Sequence, residues 1–169
     1  TYTVIIDGSP VTCAAGTHGL NAITRTCDPM DDQDHGTHVA GTIGATGDNG
    51  TGVVGINWTT RLMAIKFIDA SGEGTTADAI SSVEFAAAVK QHFAATGAAN
   101  IRVLSNSWGG SDFSQALLDE VNAVNDEDNV RTDIEVEEQN GNEYYSWGAE
   151  GEREAGNYTP VRTIGLGGR

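Results

Sequence analysis

An α/β fold, with a parallel sheet and helices on its faces, is the architecture that this sequence predicts. Three observations carry it: a short apolar run, a long helical pattern after it, and then a second run with a second helical pattern. The first run, Arg61 to Ile68 (RLMAIKFI), is bounded by turn-forming Asp69-Ala70-Ser71-Gly72 and suits a buried strand. From Thr76 to Ala95, the residues Ile80, Val83, Ala87, Val89 and Phe93 recur near helical spacing, with Lys90 and Gln91 on the watery side. Ile101 to Ser107 (IRVLSNS) predicts the next strand. Phe113 to Asn125 predicts the next helix, with its stripe Leu117, Leu118, Val121 and Val124 and with Ser111 or Asp112 as N-cap.

The two ends follow the same reasoning. Thr1 to Ile6 (TYTVII) alternates like a strand and stops at the turn Asp7-Gly8-Ser9-Pro10. Near the other end Asn140-Gly141 lies between two β-prone runs within Ile134 to Trp147, a strong hairpin signal. The stretch from Gly148 to Arg169 has little periodicity, and no element is assigned to it.

With 169 residues, one hydrophobic core and a single domain spanning 1–169 are expected. Roughly half of the acidic residues fall between Asp126 and Glu154, which sets off 126–169 as an acidic, divergent segment of that domain with a solvated surface. The net charge of -15 disfavours nucleic acid and anionic membrane surfaces as partners and favours cations. No apolar run approaches the roughly 18 residues of a membrane span, and no basic and apolar leader opens the chain.

Cys13 and Cys27 have two readings. A disulfide between them would stabilise by about 3 kcal/mol in the loop-entropy model and would favour an oxidising compartment. The other reading is two unpaired small hydrophobes.

The most informative stretch is Asp34 to Gly44, D-H-G-T-H-V-A-G-T-I-G. It resembles the histidine motif of the subtilase family of serine proteases. The order of segments around it resembles secreted microbial members too: H-G-L-N-A-I-T, D-P-M-D-D, G-D-N-G-T-G-V-V-G-I-N-W, L-M-A-I-K-F, D-A-S-G-E-G-T-T and N-S-W-G-G. The resemblance implies a subtilisin-like three-layer fold with a mostly parallel sheet, incomplete at its C-terminal end, and an extracellular location. It makes His35 the general base at the start of a helix, a role that suits an imidazole because it exchanges protons near neutral pH. A buried carboxylate must hold such a base in one tautomer. Asp7, at the end of an apolar strand, is the candidate, although Asp7-Gly8-Ser9 reverses the family order and a plain tight turn explains it equally well.

Other positions carry over from the resemblance. Ser107, Trp108, Gly109 and Gly110 match one wall of the peptide groove, which binds substrate as an added strand, and Gly72 and Gly74 match its opposite edge. Asp48, Asn49, Thr51 and Val53 match a loop that holds a structural calcium in many relatives, through oxygen ligands. A Gly/Asn/Asp turn without metal is the competing reading of that loop.

The sequence departs from the family in one decisive respect. The nucleophile's motif, Gly-Thr-Ser-Met-Ala-x-Pro, occurs nowhere, and none of the serines stands in such surroundings. Ala155-Gly156-Asn157 has the letters of the oxyanion asparagine but lacks the apolar strand before it. The expectation is therefore a truncated or degenerate serine endopeptidase domain that is inactive alone, with a polypeptide substrate or a complementing C-terminal segment as partner. The alternative is a non-catalytic extracellular module that assembles with its own copies through exposed sheet edges. A remote third reading is hydrolysis by a metal held between His35, His38 and the neighbouring aspartates, disfavoured because two-histidine zinc helices space their ligands one residue further apart.

Overall fold

The computed structural model describes residues 1–109, 113–126, 130–132, 134–139 and 142–147. Gly110 and the stretch Ala155-Gly156-Asn157 lie outside them, as do Ser111 and Asp112. The chain divides into two compact units, Thr1–Ser82 and Val83–Arg169.

The first unit opens with strands β1 (Tyr2–Ile6) and β2 (Ser9–Cys13), paired antiparallel with Ile6 opposite Ser9. Asp7 and Gly8 alone connect them, with φ of 48° and 69°. Two consecutive positive φ angles make the hairpin turn whose twist matches the strands, and Asp-Gly is a favoured pair there. Alternation then sorts the side chains. Val4, Ile6, Val11 and Cys13 are buried, while Thr3 and Thr12 share a hydrogen bond of 2.8 Å on the exposed face. Burying Ile6 contributes about 1.5–3 kcal/mol.

Next come β3 (Gly19–Asn21), helix α1 (His35–Gly44) and β4 (Ala64–Lys66), with β3 and β4 parallel and the helix in the crossover. Gly19 pairs with Ala64 so closely that a Cβ on it would lie 1.7 Å from the Ala64 carbonyl oxygen. After α1 the chain turns back: the amides of Gly55, Ile56 and Asn57 donate to the carbonyls of Ala45, Thr42 and Ile43 at 2.9–3.0 Å. Those bonds satisfy carbonyls that a helix end leaves orphaned. No residue of α1 is buried, and Val53 and Ile56 are 71% and 79% exposed.

Helix α2 (Thr76–His92) starts with a reciprocal cap. The Asp78 amide donates to Thr75 Oγ1 at 3.1 Å, and the Thr75 hydroxyl donates to the Asp78 carboxylate at 2.6 Å. The helix runs across the division between the units. Phe85 and Ala86 are buried, as are Val83, Ala87 and Val89 of the expected stripe, whereas Ile80 and Phe93 are half-buried.

The second unit continues with β5 (Val103–Leu104), α3 (Gln115–Asp126) and β6 (Arg131–Thr132), again a parallel pair with a helical crossover. Leu117, Val121 and Val124 of the expected α3 stripe are buried, and Val83, Ala87, Val124 and Val130 form a core with Ile101 and Leu104. The α3 cap is Ser114, whose Oγ accepts from the Leu117 amide at 3.3 Å. Strands β7 (Ile134–Gln139) and β8 (Asn142–Trp147) pair antiparallel, with Gln139 opposite Asn142, as the expected hairpin requires; the turn Asn140-Gly141 lies outside the described residues.

Helices and parallel strand pairs give the α/β class, but the sheet differs from the single, mostly parallel one expected. The described strands form four two-stranded sheets, two parallel and two antiparallel. Connection length explains the antiparallel pairs: strands only two residues apart in sequence can pair only by running in opposite directions, whereas a parallel pair needs a crossover.

Candidate active site

His35 is the first residue of α1, and its side chain is exposed. Asp34 precedes it as N-cap in the left-handed region (φ 73°) and makes no side-chain cap bond. Asp31 caps the helix instead. Its Oδ2 accepts from the Thr37 amide at 2.8 Å and the Thr37 hydroxyl at 2.6 Å, and its Oδ1 accepts from the amides of Gln33 and Asp34 at 3.0 and 3.1 Å. The Thr37 hydroxyl, then the Gln33 and Thr37 amides, hold the Asp31 carboxyl well below the usual carboxylate range. The His35 amide donates to Gln33 Oε1 at 3.3 Å, and its imidazole has no hydrogen-bond partner among the described residues.

The neighbouring Asp32 pairs with Lys66 of β4, whose ammonium also donates to the Ile68 carbonyl at 2.8 Å. One loop is thus tied to the start of α1 and to the end of β4. In parallel α/β units the carboxyl ends of the strands are where sites are built. Among the described residues, no group of three or more His, Cys, Asp or Glu stands together as a metal ion would need.

Asp7 occupies the first position of the β1–β2 turn. Its carboxylate pairs with Arg25 and accepts from the Ser81 hydroxyl at 2.6 Å, while Arg25 also donates to the Ile6 carbonyl at 3.3 Å. These contacts tie the hairpin turn to Arg25 and to α2.

Gly72 and Gly74 lie in a loop that folds on itself. Asp69 Oδ1 accepts from the Ser71 hydroxyl at 2.5 Å and from the Ser71 and Glu73 amides at 2.8 and 3.2 Å. The Ser71 hydroxyl is the chief cause of a lowered Asp69 carboxyl pKa. Gly72 has a φ of 85°, and Gly74 bridges Ile68 so tightly that a Cβ would meet the Phe67 carbonyl oxygen at 2.6 Å.

In the second unit Ser107, Trp108 and Gly109 follow β5 without regular structure, the first two half-buried. The Trp108 indole donates to Asn106 Oδ1 at 3.2 Å, and buried Asn106 donates to the Leu104 carbonyl at 3.3 Å.

In the loop proposed for calcium, Asp48, Gly50 and Gly52 have positive φ, and Asn49 Oδ1 already accepts from the Thr51 amide at 3.0 Å. Asp48 is its one carboxylate. Thr51 and Val53 are exposed.

Sequence reasoning weighed Asp31 and Asp32 only as neighbours of His35 and His38 in a metal site, not as a helix cap and an ion-pair partner, and missed Lys66, Arg25 and Ser81. Helix-start rules look to the residue just before the helix and so point to Asp34, three residues too late.

A family model described as "Subtilase family" matches residues 14–151. The cell wall-associated protease of Bacillus subtilis (strain 168) is 41% identical over 69 residues, which are 41% of this chain and 8% of that protein. Subtilisin-like protease 1 of Plasmodium vivax is 36% identical over 75 residues, 44% of this chain and 12% of that protein. Subtilisin DY of Bacillus licheniformis is 40% identical over 87 residues, 52% of this chain and 28% of that protein. The chain therefore spans between 8% and 28% of the length of these relatives.

Proposed function

The chain belongs to the subtilase family, and on that premise we propose that it forms the histidine-bearing part of an extracellular serine endopeptidase. Its three-layer arrangement would be that of the family. The observation that carries the reading is His35 itself: an exposed imidazole at the first residue of α1, inside the D-H-G-T-H-V-A-G-T-I-G segment. In this reading His35 takes the proton of a serine supplied by residues outside these 169, as that hydroxyl attacks the peptide carbonyl, and returns it to the leaving amine. By the family resemblance, Ser107, Trp108, Gly109 and Gly110, and likewise Gly72 and Gly74, would offer backbone to an extended polypeptide substrate. Asp7 is the carboxylate that would orient His35 in this reading, and it would have to do so while engaged by Arg25 and Ser81.

A fluorophosphonate probe, which reacts with activated serines, tests this. The expected result is no labelling of the chain alone, and labelling once a serine-bearing polypeptide from the native source is added. Substituting His35→Ala should remove that labelling. Labelling of the isolated chain, or labelling that survives His35→Ala, would overturn the reading.

One observation favours a second reading, a non-catalytic module that associates with copies of itself. Val53, Val54 and Ile56 are consecutive or nearly so and all more than half exposed, and exposed apolar side chains of that kind would suit an association surface. Sedimentation at rising concentration separates the two readings, since only self-association makes the observed mass grow.

A further inference from the structure

We propose that Asp31 is a positioning residue for His35: a carboxylate, four residues upstream, that fixes the first turn of α1 and with it the backbone from which the imidazole projects. The inference rests on His35 being the base of the proposed reaction.

A carboxylate has about four lone-pair sites, and in Asp31 all of them are used. Oδ1 takes the amides of Gln33 and Asp34, and Oδ2 takes the amide and hydroxyl of Thr37. The donors flank His35 on both sides in sequence. Hydrogen bonds to an ionised acceptor are shorter and stronger than neutral ones, so the 2.6 and 2.8 Å contacts to Thr37 are the firm end of the clasp. The saturated carboxylate has no acceptor site left for the imidazole or for a metal, which separates this role from that of an orienting carboxylate. The next residue anchors the clasp: Asp32 pairs with Lys66, and Lys66 holds the Ile68 carbonyl, so the loop is fixed to β4 as well as to α1. With α1 itself carrying no buried residue, packing does little to hold its first turn, and these polar contacts carry the task.

The test uses the whole chain. Amide hydrogen exchange is measured at Asp34 and Thr37, with Val4 and Val11 of the hairpin as controls for global stability, and the His35 ring signals are followed by NMR beside those of His18. In Asp31→Ala, exchange at Thr37 should accelerate about tenfold and the His35 ring signals should move, while Val4, Val11 and His18 stay as they were. Asp31→Asn, which keeps one acceptor oxygen, should recover part of the protection. Unchanged Thr37 exchange or unmoved His35 signals in Asp31→Ala would overturn the proposal. An equal acceleration at Val4 and Val11 would overturn it too, by assigning Asp31 to overall stability. These readouts do not depend on catalysis, so they can succeed even where His35→Ala leaves fluorophosphonate labelling intact and the base assignment falls.

Discussion

Cys13 and Cys27 are joined by a disulfide across 14 residues of sequence, with their Cα atoms 5.5 Å apart. Of the two readings that the sequence left open, the bond is the one realised. Cys13 is fully buried at the end of β2, and Cys27 stands four residues before Asp31, so the bridge tethers the hairpin to the loop that leads into α1. Closing a loop of this length removes entropy from the unfolded chain, which is worth about 3 kcal/mol in that model. Reduction, or the paired substitution Cys13→Ser with Cys27→Ser, should lower stability by about that amount. Urea unfolding with and without reductant checks it, and coincident midpoints would show that the bridge contributes nothing.

Gly19 is the position where one added methyl group should do the most local damage. A Cβ there would penetrate the Ala64 carbonyl, at 1.7 Å, and backbone cannot move aside as a flexible side chain can. Gly19→Ala should therefore force β3 and β4 apart, with a cost of about 2–4 kcal/mol, at the high end of single substitutions. Gly8→Ala is the useful comparison, because nothing lies within 4 Å of its would-be Cβ and only its φ of 69° opposes the change. Its cost should be about 1 kcal/mol. Denaturant midpoints of the two variants rank them, and a Gly19→Ala midpoint above that of Gly8→Ala would contradict the close pairing.

How far the sequence could be read depended on what kind of force set each element. The helices were legible because their signal is periodic: Thr76–His92 and Gln115–Asp126 lie within two or three residues of the expected spans. Strands were less so. RLMAIKFI predicts eight residues of strand, but a partner as short as β3 lets only Ala64–Lys66 pair. β2 was overlooked because Pro10 looked like the end of a strand, whereas in a two-stranded sheet both strands are edges and tolerate it. The start of α1 at His35 was legible because a motif surrounds it. The Asp31–Thr37 clasp was not, since it joins residues six apart through a bend that no periodic pattern reports.

Calcium should bind the loop from Asp48 to Val53 weakly. Affinity follows the number of charged ligands, and this loop offers one carboxylate beside neutral oxygens, one of them already shared with the Thr51 amide. Stabilisation should therefore emerge only as the added ion reaches about millimolar concentration, and it should grow with concentration by mass action. Asp48→Ala should abolish the effect. Melting temperature measured across a calcium titration, with magnesium as control, reads it; a chain indifferent to calcium throughout would leave the turn without metal as the reading of this loop.

Acid should weaken the fold in part through Asp31, and the sign follows from which form the folded state prefers. Four donors favour the ionised carboxylate, so its folded pKa lies below the value of about 3.9 that an unfolded aspartate has. Above that value both states are ionised, and the full stabilisation is present. As the pH falls below about 4 the unfolded state takes up its proton first, and the stabilisation is lost progressively until the folded pKa is passed. Asp31→Asn cannot titrate, so its stability should fall less steeply over the same window, and its deficit relative to the parent chain should shrink as the pH drops. Some slope should persist in the variant, because the Asp69 carboxyl is shifted in the same direction by the Ser71 hydroxyl. Urea midpoints at neutral pH and at about pH 3 make the comparison. Parallel declines in the two proteins would mean that the Asp31 clasp is as strong around a neutral side chain as around a charged one, and the charge-assisted account of the α1 start would fail.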